Sequence, residues 1–331
     1  MSGASGGAPL RLGVVGLGHL GRHHARILAS LPGVAFAAAA DLRLERAQAA
    51  VAGTAAVAAA DAAELLGRVD AVTIAVPTEA HLDVARAFLE RGLPVLVEKP
   101  MAASVAEADE MVGLAAQSGA LLAVGHTERF NPAIQAVRAD IRRPRFIEVH
   151  RLSGFPERSL DIDVIFDVMI HDLDVLLDVA GDEVTSVEAV GVPVLTPKVD
   201  IANARLQFAS GCTANITASR ISRDKVRKAR FFEPDLYVSV DYAAFEAEVW
   251  RLVPRDGARP SIEGGPVDVT RDEPLRAELA DFVEAVTRRR APRVDGAAGR
   301  RALALASRVA EAIEVMAPGH PERRASARPG D

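Results

Sequence analysis

The chain of 331 residues has a single cysteine, Cys212. One thiol forms no internal disulfide, and no Cys/His spacing suits a tetrahedral zinc site, so no metal is expected. A reducing cytoplasm is the expected setting. Basic residues show no excess: 39 Lys and Arg stand against 45 Asp and Glu, for a net charge of −6. Such a surface excludes general electrostatic attraction to nucleic acid or to anionic membranes. No apolar run approaches the roughly 20 residues of a membrane span. Residues 1–9 lack the basic and apolar regions of a secretory signal and read as a loose tail. Residues 318–331, rich in Pro, Arg and Gly, read the same way. Internal repeats and low-complexity linkers are also absent.

What is present is ordinary globular material, 49% apolar and 25% charged. Single cores rarely grow past roughly 250–300 residues, so this length favours two domains. Up to about residue 125, short apolar runs alternate with amphipathic stretches. Strands are expected at 10–15, 34–40, 71–76, 94–97 and 121–125, with helices at 20–31, 42–52, 79–91 and 105–118. Ser104 followed by Glu107 reads as a capping box for the last of these. Unbroken apolar strands with helical crossovers describe an α/β, doubly wound parallel sheet, a Rossmann domain over 10–128. The pattern changes near 126–132. A strand from 146, a helix over 161–179 stopped near Gly181, six strand-like runs between 184 and 253, and two closing helices at 275–289 and 300–316 follow. The turn Ala209-Ser210-Gly211 reads as a hairpin, so the second domain, 129–317, is expected to carry an antiparallel sheet.

The first strand runs into GLGHLG, Gly16 to Gly21. Gly16 allows the tight turn, Gly18 lets backbone approach a pyrophosphate, and Gly21 lets helix and strand pack closely. His19 and Leu20 lie between, at a helix N-terminus suited to phosphate. A glycine-rich turn without a ligand is the bland alternative. Asp41 ends the second strand 25 residues after Gly16, near the about 20-residue offset of the acid that binds the adenosine ribose. A carboxylate there favours NAD over NADP. Arg43 softens that preference, and Asp41 could equally cap the next helix. Pro77 and Thr78 end the third expected strand and border the cofactor by the rule that ligands bind beyond strand C-termini. His81 follows on the next helix.

Glu98-Lys99-Pro100 closes the strand ending near 97, and Asp167 and His171 stand four apart on the expected helix. GLGHLG, EKP and DxxxH in this order resemble the glucose–fructose oxidoreductase / inositol dehydrogenase / MocA (Gfo/Idh/MocA) family over essentially the whole chain. The resemblance implies a Rossmann domain, a C-terminal α/β domain with a large open sheet that commonly builds homodimers or homotetramers, and NAD(P)-linked oxidation of sugars and cyclitols. It implies catalytic roles for Lys99, Asp167 and His171, and places Glu98 with Lys99 beside the cofactor. The segments GLGHLGRHHARIL, VGHTERFNPA, RSLDIDVIFDVMIHDLDVLLD and SRISRDKVRKARFF are further similar to those of UDP-N-acetylglucosamine 3-dehydrogenases, enzymes linked to the diamino sugar of lipid A.

The chemistry agrees with that assignment. Oxidising a secondary alcohol needs a base, and His171 titrates near neutrality. Asp167, one turn earlier, can orient its ring. Lys99 supplies positive charge where an alkoxide develops. Alternatively, Asp167 and His171 form an ordinary helix pair and Lys99 is a surface lysine. Arg129, Asn131, Arg158 and Asp163 are candidate substrate contacts, although Asn131 before Pro132 could instead start a helix. The acids of the 161–179 helix are expected to be mostly solvated or capping. The cluster Arg220, Arg223, Lys225, Arg227, Lys228 and Arg230 suits a nucleotide-sugar diphosphate or, equally, an exposed charged edge. Competing classes are a non-catalytic NAD-binding sensor and an inositol or dihydrodiol dehydrogenase.

Overall fold

The computed structural model describes residues 8–155, 162–256 and 259–316; the two expected tails fall almost wholly outside this range. The described residues form two compact units, one of residues up to 127 together with 273–300, the other of 128–272 together with residues from 301 onward.

The first unit is built on a six-stranded parallel sheet in the order β3-β2-β1-β4-β5-β6. The strands are β1 (Leu10–Val15), β2 (Val34–Ala40), β3 (Val57–Ala59), β4 (Ala71–Ile74), β5 (Val95–Glu98) and β6 (Leu122–Gly125). The crossover helices are α1 (Gly21–Leu28), α2 (Leu44–Val51), α3 (His81–Leu89) and α4 (Val105–Ser118). Strands β4, β5 and β6 are buried along their whole length, which is why they read as continuous apolar runs. The short β3 carried too little sequence signal to be expected. Ser104 Oγ accepts the Glu107 N–H as expected, while Glu107 reaches back to the Ala103 N–H, one residue before the cap.

The second unit holds an eight-stranded sheet in the order β14-β13-β12-β11-β7-β10-β9-β8. Its strands are β7 (Phe146–Leu152), β8 (Val184–Val192), β9 (Ile201–Phe208), β10 (Thr213–Ser219), β11 (Val226–Glu233), β12 (Leu236–Asp241), β13 (Glu246–Val253) and β14 (Ser261–Pro266). Only β7 and β10 pair in parallel, at the centre; every other pairing is antiparallel. Along β9 the alternation is strict, with Ala202, Ala204, Leu206 and Phe208 buried and Asn203, Arg205 and Gln207 exposed. The inner face packs on α6 (Ile170–Ala180) and on α8 (Gly296–Met316), through Leu173, Leu176, Leu305 and Val309. The expected hairpin joins β9 to β10, with Gly211 at φ +84°.

Two expectations are corrected. The closing helix α7 (Pro274–Arg288), assigned above to the second domain, belongs to the first unit. Leu279 and Phe282 are buried there with Leu12, Ile27 and Leu28, and Arg276 donates to Ser30 Oγ. The helix expected over 161–179 is not uniform. Residues 165–169 form a π turn in which the Ile170 N–H donates to the Ile165 carbonyl five residues back, and only then does α6 begin. Gly181, left-handed at φ +63°, ends it as anticipated. The short helix α5 (Pro132–Val137) begins directly after Asn131, as the alternative reading of Asn131-Pro132 had it, while strand β14 was not expected.

Candidate cofactor and catalytic residues

In the first unit the glycine loop is seated on the C-terminal end of β4. A Cβ on Gly16, at φ +85°, would lie 2.7 Å from the Ala75 carbonyl and from the Val76 nitrogen. A Cβ on Gly21 would lie 1.7 Å from the Gly16 carbonyl oxygen. Both positions therefore exclude a side chain on packing grounds. At Gly18 an added Cβ meets nothing within 4 Å, so that glycine opens space above the loop. The N-cap residue of α1, Leu20, makes no side-chain cap hydrogen bond, and His19 is exposed beside it. An open space over a bare helix N-terminus fits a dinucleotide pyrophosphate. Bound there, the cofactor would supply the hydride acceptor.

Asp41 holds this loop from β2. Its Oδ2 accepts the Leu17 N–H at 2.7 Å and its Oδ1 accepts the Arg43 N–H at 2.9 Å. It does not cap α2, whose N-cap residue is Arg43. Asp41 remains half-buried and Arg43 exposed, so the carboxylate keeps accessible lone pairs at the strand end. Pro77 is exposed and Thr78 opens a single 3-10 turn, Thr78–Ala80.

His81 departs from the surface position a lone histidine usually takes; it is 1% exposed. Its Nε2 lies 3.0 Å from the Val76 carbonyl and its Nδ1 2.9 Å from the Pro100 carbonyl. Burial pushes its pKa below the ordinary imidazole value, against the pull of those carbonyls and of Glu98. Glu98 is equally buried. Its Oε1 meets His24 Nε2 at 2.9 Å, and its Oε2 accepts the Lys99 N–H at 3.3 Å. Burial alone would raise the Glu98 carboxyl, but His24 and Lys99 outweigh it and hold it below its usual value. Lys99 itself is half-buried at the end of β5. The structure thus brings the glycine loop, Asp41, Pro77, Thr78, His81, Glu98 and Lys99 to the C-terminal edge of one sheet.

His24 was not singled out in the sequence. It lies on the apolar inner face of α1 with Ala25, Ile27 and Leu28, and nothing local announces a partner 74 residues away. Glu278 of α7 was missed for the same reason. Among the described residues, His24, Glu98 and Glu278 form the one grouping whose side-chain nitrogen and oxygen atoms, all within 4.8 Å of one another, could hold a metal ion. The 2.9 Å between His24 and Glu98 is an ordinary hydrogen-bond length.

In the second unit, Asp167 lies in the π turn and His171 in the first turn of α6, both half-buried. A π turn widens the helix where a side chain is to be re-aimed, and such turns are frequent at functional sites. The next residue is anchored. Asp172 accepts from Arg151 Nε at 2.7 Å and from Nη2 at 2.8 Å, and Arg151 Nη1 donates to Glu128 at 2.7 Å. The acids of this helix are not mostly solvated, contrary to expectation. Asp172 and Asp174 are buried, with Asp174 paired to Arg129, and Asp178 pairs with both Arg129 and Arg138.

The candidate substrate contacts fare differently. Arg129 is buried with its guanidinium on Asp174 and Asp178. Asn131 caps α5 through the Ala133 N–H and donates to Glu128 and to the Tyr242 carbonyl. Asp163 accepts the Val199 N–H. All three side chains hold the second unit together. Arg158 lies outside the described residues. The basic cluster also divides. Arg220 is fully buried, bonded to Asp200, Thr196 and the Ile162 carbonyl, so it is no phosphate ligand. Lys228 and Arg230 pair across strands with Asp241 and Glu148. The thiol of Cys212 is buried, which pushes it up to about 11.

A parallel sheet in this strand order, with a glycine loop after β1 and an acid ending β2, defines a nicotinamide-dinucleotide-binding oxidoreductase. The chain belongs to the Gfo/Idh/MocA family. Its residues 10–126 match the family's NAD-binding Rossmann-fold model and residues 133–234 match the Gfo/Idh/MocA C-terminal domain. It is 40% identical to UDP-N-acetylglucosamine 3-dehydrogenase of Acidithiobacillus ferrooxidans, over 93% of this chain and 98% of that protein. A solved structure of the enzyme from that organism superposes with a TM-score of 0.86, covering 93% of this chain and 98% of the other. The rhizopine catabolism protein MocA of Rhizobium meliloti is 28% identical over 92% of this chain and 95% of its own length. No described helix is long and apolar enough to cross a membrane.

Proposed function

We propose that this chain is an NAD-dependent dehydrogenase that oxidises the 3-hydroxyl of UDP-N-acetylglucosamine, acting in the cytoplasm. The observation that carries the reading is the 40% identity, nearly end to end, with an enzyme of that name. Lys99 stabilises the developing alkoxide, His171 takes the hydroxyl proton, and Asp167 supports the imidazole. The cofactor lies over Gly16, Gly18, His19, Leu20 and Gly21, with its adenosine ribose at Asp41. The half-buried Asp41 carboxylate favours NAD, because a 2′-phosphate would meet like charge. The outer face of the large sheet supports assembly into a homodimer or homotetramer. There Phe146, Phe232 and Tyr237 stand half-buried, with ring centroids 5.7 and 5.2 Å apart in succession.

The test is direct. Purified protein with UDP-N-acetylglucosamine is expected to reduce NAD faster than NADP and to release a keto sugar nucleotide. Lys99→Met and His171→Ala are each expected to lose about 10²–10⁴-fold in kcat. Turnover of free inositol but not of the nucleotide sugar would overturn the substrate and keep the dehydrogenase. Tight NAD binding with no turnover across a sugar panel would make the chain a sensor.

A further inference from the structure

Two buried histidines of the first unit lie against Glu98-Lys99-Pro100. His24 is fully buried on α1 and bonds Glu98, whose other oxygen accepts the Lys99 N–H. His81, at the start of α3, sets one ring nitrogen 2.9 Å from the Pro100 carbonyl and the other 3.0 Å from the Val76 carbonyl. The Lys99 peptide is therefore tied on its N-terminal side to α1, through Glu98, and on its C-terminal side to α3.

We propose that His24 and His81 are positioning residues that together brace the Glu98–Pro100 segment and so fix the ammonium of Lys99. The inference deepens the function proposed above and rests on its role for Lys99. Three features carry it. The Glu98 carboxylate packs directly on Gly125, where an added Cβ would come within 2.9 Å of it. The Glu278 carboxyl group lies in the same pocket, and the hydrogen bond from His24 and the charge of Lys99 hold the Glu98 carboxylate there. His81 faces a carbonyl with each nitrogen, so either neutral tautomer donates to one and a protonated ring donates to both. The same ring reaches Val76, on whose nitrogen the Gly16 turn is seated. It links the cofactor loop to the lysine. Reacting groups need such support, because a misplacement of about 1 Å costs on the order of 100-fold in rate.

The experiment compares His24→Leu and His81→Leu with His24→Gln and His81→Gln, which keep a side-chain N–H donor, and with Lys99→Met. Hydrogen exchange of the apoprotein is read by mass spectrometry over residues 96–102, alongside β1 and β4. In the leucine variants, exchange in 96–102 is expected to quicken by roughly 10-fold while β1 and β4 stay protected. Their kcat falls by about 100-fold with NAD affinity within about 3-fold of wild type, and the glutamine variants recover most of both changes. Unchanged exchange in 96–102, exchange that rises equally through β1 and β4, or glutamine variants no better than leucine would each overturn the brace. Lys99→Met that keeps its kcat would overturn the role of Lys99 and the brace with it. An inactive Lys99→Met beside leucine variants of full kcat would overturn the brace alone.

Discussion

Residue identity in this chain says less than residue environment. Arg220 and Arg223 stand three apart in one basic run, yet Arg223 is exposed while Arg220 is sealed against the fully buried Asp200. Burial works to raise the Asp200 carboxyl, but the Thr196 N–H and hydroxyl and the N–H groups of Val194 and Leu195 hold it far below its usual range. Breaking such a pair strands a charge, so Arg220→Met is expected to cost about 3–5 kcal/mol in urea unfolding. Asp174 behaves oppositely. Burial raises it to about 7, although Arg129 pulls it down. The folded protein therefore keeps that proton up to about pH 7, whereas an unfolded aspartate releases it near pH 4. Asp174 thus favours the fold below about pH 4, and its contribution is lost as pH rises towards 7, at no more than about 1.4 kcal/mol per pH unit. Unfolding free energies measured from pH 4.5 to 7.5 are expected to show that decline in wild type relative to Asp174→Asn, and parallel curves would refute it.

At the scale of elements, the glycine loop separates two kinds of glycine. Gly21 is required by the contact of α1 with the Gly16 carbonyl, while Gly18 is required by nothing in the protein. Gly21→Ala is expected to destabilise the fold by at least about 1–3 kcal/mol. Gly18→Ala should leave stability within about 0.5 kcal/mol yet weaken NAD binding, because the methyl occupies the space kept for pyrophosphate. Calorimetric unfolding and NAD titration of the two variants separate these outcomes. If Gly18→Ala binds NAD like wild type, the cradle lies elsewhere. The π turn before His171 belongs to this scale too. The DxxxH spacing was visible in the sequence, but a helical pattern does not distinguish a regular turn from one with a five-residue hydrogen bond, since both keep the apolar face of Val164, Leu173 and Leu176 buried.

For the whole molecule, the strand alternation of residues 10–125 and the hairpins after 184 were enough to read two sheets of different kinds. The period of apolar residues depends only on which faces of an element are covered. The return of α7 to the first unit was not legible, because an amphipathic helix declares that it has an apolar face and not which core receives it. The open outer face of the large sheet raises the question of assembly. The chain of 35.0 kDa is expected to sediment at a multiple of that mass, and Phe232→Glu to shift it towards the monomer by placing a charge among Phe146 and Tyr237. An unchanged mass would place the interface elsewhere.

The sequence alone determined the two sheets, the glycine loop and the acid after β2, and it offered Lys99, Asp167 and His171 as the catalytic candidates. Each of these is written in local spacing or in a short motif. Tertiary structure alone decided which polar groups face inward. His24 meets Glu98, His81 spans two carbonyls, Arg129 and Asn131 turn away from solvent, and Arg220 locks onto Asp200. Buried polar atoms must find partners, and, apart from Val76 five residues before His81, those partners lie from 19 to 111 residues away along the chain, where no local pattern records them.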